Sequence, residues 1–309
     1  MSAMDPDVSV VLVTYNGARW LDEVLSAVRA QRTRQRFEIV AVDSSSTDAT
    51  RAILERHGAR VHVIPKAEFG HGRTRNLGGR LARGRYLVFM TQDATPADES
   101  WLEQLVAPLL ADPTVAGSYS RQVARPGCNA VERRDIEAGA GTERLVKQVD
   151  FSDPREAARF ARERRRLILF SNVSSCIRRE ALERIPFDEG LSIMEDQDWC
   201  RRALEAGWKV VYEPSSAVLH SHDFPLREVF RRHRDYGLAY GAIAQFRLSL
   251  PRVLFYTLVE SSRDALYALR CDAPALWKLR GALAAPALRF AMRYGLHRGI
   301  RAAERARAR

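Results

Sequence analysis

Along the first hundred residues, apolar positions recur in two different periods. Residues 8–15 (VSVVLVTY) form a β-branched run, 18–31 (ARWLDEVLSAVRAQ) repeat their apolar residues at helical spacing, and 37–43 (FEIVAVD) form a second apolar run. These predict strand, helix and strand, because a strand buried on both faces is a continuous apolar run whereas a helix shows its inner face every three or four residues. Residues 47–58 (TDATRAILERHG) predict a helix capped by Thr47 or Asp48 and ended by Gly58. A strand at 61–64, a polar glycine-rich loop, a helix around 73–83 and a strand at 85–90 continue the series. Such alternation predicts an α/β fold: a Rossmann-like, mostly parallel sheet wound by right-handed crossovers and flanked by helices.

A helix at 99–112 and a strand at 114–120 extend this order, and then the pattern changes. Residues 121–166 are rich in Arg and Glu, show little apolar periodicity and carry no strong strand signal. They predict a partly helical insertion, either the wall of a binding site or a solvated helix pair. Order returns with a strand and short helix within 167–185, a helix over 195–207 (EDQDWCRRALEAG) that is acidic at its start and closes on Gly207, and a strand at 209–214. Beyond residue 225 every signal is helical, so the chain is expected to divide near 224 into an α/β region and a C-terminal helical extension.

Charge locates a second property of that extension. Residues 225–309 carry 17 Lys and Arg against 6 Asp and Glu, so the net charge of +11 sits there and residues 1–224 are neutral overall. The segments 226–246 and 275–309 mix Trp, Leu and Phe with Arg, the profile of amphipathic helices on an anionic membrane surface. A homo-oligomer formed through the same apolar faces is the competing expectation. Nucleic-acid binding is disfavoured, since the body is neutral and no recognised DNA- or RNA-binding motif is present. Cys128, Cys176, Cys200 and Cys271 include no C-x-x-C, and free thiols of a reducing cytosol are expected. The start MSAMDPDVSV lacks the marks of a secretory signal, and the longest apolar stretches of the tail, 253–259 and 281–288, are too short to span a bilayer. A cytoplasmic protein, peripheral on the inner face of the cell membrane, is expected.

Several polar groups stand where chemistry is plausible. The apolar run at 85–90 passes through Thr91 and Gln92 to Asp93 before Pro96 stops the strand. Ligand crevices of open α/β sheets lie at the carboxyl ends of strands, so Asp93 is expected to face a ligand. Asp43 ends the second strand and could accept a hydrogen bond from a ribose, or else close a capping turn with Ser44–Thr47. The turn TYNGARW has no G-x-G-x-x-G, and no G-x-x-x-x-G-K-[ST] occurs, which disfavours a Rossmann dehydrogenase and a P-loop enzyme. The loop 68–79 (EFGHGRTRNLGG) sets glycines beside His71, Arg73 and Arg75, a pattern for a diphosphate or for a flexible basic loop. Glu195, Asp196 and Asp198 open a helix, where carboxylates offset the dipole, yet Gly190 predicts a turn into a cleft in which one of them could act as general base. His220 and His222 follow a strand-like stretch and could bind a metal or phosphate, or simply pack.

The ordered set VVLVTYNG, VDSSSTDAT, RTRNLGGRLARGRYLVFMTQDATP and EDQDWCRRALEAGWKVVYEPSSAVLHSH resembles the family 2 glycosyltransferases, which have the glycosyltransferase A fold, over about residues 8–240. FGHGRTRN and TQDA look most like the bacterial rhamnosyltransferases that use dTDP-L-rhamnose. The resemblance implies an inverting enzyme that moves L-rhamnose from dTDP-L-rhamnose to a glycan or polyprenyl-linked acceptor in cell-surface polysaccharide synthesis. The alternative donors are UDP-GlcNAc, UDP-galactose and GDP-mannose. It makes residues 1–224 the catalytic domain, with a nucleotide-binding half at about 1–120 and an acceptor half at about 121–224. Thr14, Tyr15 and Asp43 would hold the nucleoside, Arg75 the diphosphate, and Gln92 and Asp93 the nucleotide-sugar. Asp196 would be the catalytic base. Asp93, in the last acidic place of the family's D-x-D motif, would hold Mg²⁺ or Mn²⁺ with His222; His71, Glu195, Asp198 and His220 are secondary candidates. Thr91 stands where the family usually has the first Asp, which weakens the cation site by one charge.

Overall fold

The computed structural model describes residues 5–139, 141–243 and 248–307. Residues 244–246 and 308–309 of the expected surface helices, and Met1–Met4, lie outside the described residues. The chain divides into two compact units, one of residues 1–122, 141–191 and 195–220, the other of 123–140, 192–194 and 221–309.

In chain order the elements are β1 (Val8–Thr14), α1 (Ala18–Arg29), β2 (Phe37–Asp43), α2 (Thr50–Arg56), β3 (Arg60–Val63), α3 (His71–Leu81), β4 (Tyr86–Thr91), β5 (Thr95–Pro96), α4 (Trp101–Ala111), β6 (Val115–Val123) and α5 (Ala130–Gly139). There follow β7 (Leu145–Lys147), α6 (Pro154–Leu167), β8 (Ser174–Arg178), α7 (Arg179–Arg184), α8 (Glu195–Glu205), β9 (Lys209–Leu219), α9 (Leu226–Ile243), α10 (Leu250–Arg270) and α11 (Ala275–Arg307).

The first unit is built on one sheet in the order β3-β2-β1-β4-β8-β6-β9-β5, with β7 against β9. Its α/β class is as expected, but parallel pairing stops at β4. Strands β3, β2, β1 and β4 run parallel, while the β4–β8, β6–β8, β5–β9 and β7–β9 pairs are antiparallel. The sheet is therefore mixed. Helical crossovers α1, α2 and α3 carry the chain back for each parallel neighbour, and an apolar run does not reveal the direction in which a later strand enters. The short β7 also went unread within 121–166, since three residues are too few to show a period. Of that insertion, residues 123–140 belong to the second unit.

The core of the first unit joins Val8, Val10 and Leu12 of β1 to Leu21, Val24, Leu25 and Val28 of α1 and to Trp101, Leu102 and Leu105 of α4. Helix α3 lies so close to β1 that a Cβ on Gly78 would collide with Val11. Neither Thr47 nor Asp48 caps α2, whose N-cap is Ala49 without a side-chain bond. Asp48 is occupied instead by the N–H groups of Thr50 and Ala18, at 3.0 and 3.1 Å, which ties the loops after β2 and β1 together.

Among the described residues after 225, the regular elements of the second unit are all helices. Helices α9 and α11 meet backbone to backbone: a Cβ on Gly295 would stand 2.6 Å from the Phe230 carbonyl oxygen, and one on Gly299 or Gly237 would strike the Arg234 or Leu296 carbonyl. Around this contact Val229, Ala285, Ala291 and Met292 form one cluster, and Leu248, Val253, Leu296 and Ile300 another. Arg289, 3% exposed, bonds Asp264 at 2.6 Å and Asp135 at 2.7 Å, and Arg134 bonds Asp264 at 2.6 Å and Glu260 at 3.0 Å. Among the described residues no helix is long and apolar enough to cross a membrane.

The α9–α11 contact yields a prediction with an informative sign. Gly299→Ala should favour an isolated helix by about 1 kcal/mol, yet overpacking against the Arg234 carbonyl should cost about 1–3 kcal/mol. A net fall in melting temperature by circular dichroism is expected; a rise would show that the two helices are not in contact.

Candidate functional site

The parallel strands end level with one another. Thr14 of β1 pairs with Asp43 of β2, and Val13 with Thr91 of β4, so the candidate residues emerge together at the carboxyl ends of the parallel strands. The Thr14 hydroxyl donates to Asp43 at 2.9 Å, and Asp43, fully buried, also accepts the Ser46 N–H at 2.8 Å and its hydroxyl at 2.6 Å. Both readings of Asp43 meet here, because the carboxylate that would read a nucleoside also closes the turn at Ser46. Asn16 and Ser45 take left-handed φ of 45° and 60°, turning both loops over the strand ends. Gln92 accepts the Tyr15 N–H at 2.9 Å and donates to its carbonyl at 3.1 Å, so it braces the β1 loop. The Lys66 ammonium sits 2.6 Å from the Tyr15 hydroxyl and 4.1 Å from the ring centroid.

Beyond β4 the chain reaches Asp93, then β5, whose Thr95 pairs with Leu219 of β9. That pairing brings His220 to Asp93, with Nε2 3.6 Å from Oδ1. His220 Nδ1 lies 2.9 Å from Gln122 Oε1, an acceptor for an Nδ1 proton, and Nε2 faces Asp93, with a lone pair there whenever the ring is neutral. At 3.6 Å the contact is too long for a hydrogen bond, but two atoms that each ligate one ion at about 2.1 Å stand roughly 3–4 Å apart. The pair therefore fits a divalent cation. His222 lies two residues on, in the second unit, where its ring stacks on Phe224 at 4.5 Å. The Thr91 hydroxyl is buried and has no partner among the described residues.

A third group gathers around α8. Arg75, presented by α3, lies inside rather than in an open loop: its Nη1 donates to Glu195 at 2.7 Å, with both side chains 5% exposed. His71 opens α3 and its Nδ1 is 3.4 Å from the same Arg75 nitrogen. Asn172, 1% exposed, donates its side-chain amide to Glu195 at 3.3 Å and its backbone N–H to Asp196 at 3.1 Å. Asp196 accepts a second backbone N–H, from Gln197, at 2.8 Å and stays half-buried. Burial, and then the neighbouring Glu195 charge, push its carboxyl up to about 7. Asp198 faces the other way, held by Arg201 and Arg202 at 2.7 Å each, so it braces its own helix. Ahead of α8 the left-handed turn falls at Met194, φ 69°, rather than at Gly190.

The α8 and β4 groups adjoin, since the Thr91 N–H bonds the carbonyl of Val173, next to Asn172, at 3.2 Å. Together they can take up a proton at Asp196 and hold positive charge at Asp93. Sequence reasoning missed Asn172, Gln122 and Lys66. Asn172 had a faint signal, an amide interrupting the apolar stretch before CIR, but Gln122 and Lys66 had none.

A family model described as glycosyl transferase family 2 matches residues 9–186. An O-antigen chain rhamnosyltransferase of Salmonella anatum is 32% identical over 237 residues, covering 75% of this chain and 72% of that protein. Another from Salmonella typhimurium is 27% identical over 234 residues, covering 75% and 71%. Among solved structures, a mannosyltransferase from Pyrobaculum calidifontis in complex with GDP-Man and Mn²⁺ superposes with a TM-score of 0.61 at 20% identity, covering 98% of this chain and 88% of that one. The fold is thus of the glycosyltransferase A type.

The raised Asp196 carboxyl carries a stability signature. Protonated up to about pH 7 when folded and ionised above about pH 4 when unfolded, it makes the folded state lose stability as pH rises across that window. Asp196→Asn removes this slope. Its unfolding free energy relative to the wild type, from denaturant titrations, should improve between pH 5 and pH 8 by on the order of 2 kcal/mol; a pH-independent difference would show that Asp196 does not titrate in that range.

Proposed function

The chain belongs to glycosyl transferase family 2, and we propose that this glycosyltransferase moves L-rhamnose from dTDP-L-rhamnose to a glycan or polyprenyl-linked acceptor in cell-surface polysaccharide synthesis, inverting the anomeric centre. The observation that carries the chemistry is Asp196, a half-buried carboxylate oriented by two backbone N–H groups and raised to about 7. A base of that strength suits removal of a hydroxyl proton near neutral pH. The acceptor oxygen attacks the anomeric carbon as Asp196 takes its proton, and the bond from that carbon to the diphosphate breaks. The choice of rhamnose rests on the two Salmonella relatives, named as rhamnosyltransferases and aligned over three quarters of this chain.

Other residues take supporting roles in this reading. Thr14, Tyr15 and Asp43 receive the nucleoside, with Gln92 holding the loop that presents Tyr15. Arg75 acts on Asp196 through Glu195 and positions the helix start. Asp93 and His220 would hold Mg²⁺ or Mn²⁺; when bound, the cation offsets charge on the departing diphosphate. Thr91 adds no charge, so cation affinity rests on Asp93 and the donor's own phosphates. The working place is the cytoplasmic face of the membrane, reached through the C-terminal unit.

Three measurements test the assignment. Asp196→Asn should keep dTDP-L-rhamnose binding in calorimetry while transfer falls roughly 10²–10⁴-fold; unimpaired transfer would remove the base. In thermal-shift assays dTDP-L-rhamnose should stabilise the protein more than UDP-GlcNAc, UDP-galactose or GDP-mannose, and a larger shift with one of those would reassign the donor. Excess chelator should stop turnover and added Mg²⁺ or Mn²⁺ restore it, with Asp93→Asn raising the metal concentration required by about 10-fold or more. Full turnover in chelator would eliminate the cation.

A further inference from the structure

Helix α10 turns its apolar side outward. Leu254, Phe255, Leu258 and Leu269 are 57, 61, 70 and 60% exposed, while Val253, Ser261, Asp264 and Ala268 form the buried side. Leu250, Leu254 and Leu258 repeat every four residues along one stripe, and Phe255 and Leu266 widen it. An exposed stripe of this size marks a surface made for an apolar partner. Helix α11 adds exposed Leu276, Leu279 and Leu283 in its first turns.

Charge identifies the partner. Arg252, Arg263 and Arg270 are exposed and spaced by near-whole turns, so they line one flank of the apolar stripe. The acidic residues of α10 are both neutralised by arginine: Asp264 is fully buried against Arg134 and Arg289, and Glu260 bonds Arg134 and Arg263. The outer side is thus apolar and cationic. A second copy packed antiparallel on this face would oppose Arg252 to Arg270, whereas an anionic lipid surface complements it.

This surface shares the start of α11 with the expected segments 226–246 and 275–309 and adds α10, which lies between them. Helix α9 spends Gly237 on its contact with α11, and Ala291, Met292, Leu296 and Ile300 of α11 are buried. Most of the exposed apolar face is supplied by α10, with the start of α11 continuing it.

We propose that the outer face of α10, continued by the first turns of α11, lies flat on an anionic bilayer. Leu254, Phe255 and Leu258 enter the boundary between head groups and acyl chains, and Arg252 and Arg270 meet lipid phosphates. The proposal rests on the membrane role above and adds the surface that performs it.

Flotation of the full chain with vesicles tests it. Binding to phosphatidylcholine mixed with phosphatidylglycerol should exceed binding to pure phosphatidylcholine about 10-fold or more and weaken in high salt. The exposed triple substitution Leu254→Glu, Phe255→Glu, Leu258→Glu should keep the wild-type melting temperature and lose at least about 10-fold of that binding, whereas Leu226→Glu at the start of α9 should bind normally. Undiminished binding by the triple variant overturns the proposal. So does a wild type that ignores vesicles and instead forms, in sedimentation, a dimer that the triple variant abolishes. Sugar-nucleotide turnover without vesicles is read in parallel: binding without turnover removes the enzymatic reading and leaves this surface standing, and turnover without binding does the reverse.

Discussion

The buried pair between Arg75 and Glu195 is the constraint on which the candidate site depends. Two opposite charges 2.7 Å apart and 5% exposed have left water, and desolvation of that kind is offset only when the geometry is close and the remaining polar positions are filled. Asn172 fills one of them from the segment before β8. The requirement extends outward, because Arg75 reaches Glu195 only if α3 lies tight on β1, which Gly78 allows. It extends inward as well. Glu195 held in place keeps a negative charge beside Asp196, whose carboxyl is raised by burial first and by that charge second.

Five carboxylates of the first unit show how environment divides labour among chemically similar groups. Asp43 is buried and meets three donors, so it shapes a loop before it can meet a ligand. Asp198 is consumed by two arginines of its own helix. Glu195 is paired with Arg75, and the proposed function draws on the remaining two, Asp196 and Asp93. These last two differ in kind. Asp196 is held by backbone N–H groups against a neighbouring negative charge, the setting of a base, while Asp93 faces an imidazole whose other nitrogen is fixed by Gln122, the setting of a ligand.

The charge of the C-terminal unit reads differently once its contacts are known. Part of the tail's basicity is internal, because Arg289 is needed, together with Arg134 of α5, to neutralise Asp264 and to hold α5, α10 and α11 together. What remains outside is sorted by α10 into an arginine flank and an apolar face. A tail that composition marks only as basic is thus a helical unit with a charged interior and a particular outer surface.

The sequence by itself determined the alternating strands and helices of the first half, the helical character after 225, the strand-end positions of Asp43 and Asp93 and the acidic start of α8. Each of these is a local property: periodicity reports which side of a segment is buried, and turn and cap residues report where it ends. The family resemblance was legible for the same reason, through short motifs in order. Tertiary structure alone decided that the sheet turns antiparallel after β4, that β7 pairs at an edge, that Arg75 serves Glu195 across 120 residues and that His220 meets Asp93 through the β5–β9 pairing. It also decided that Asn172 and Gln122 orient the site and that α10 carries the open apolar face. These outcomes depend on which distant segments compete successfully for the same buried space, and pairwise contact across such separations leaves no period in the chain.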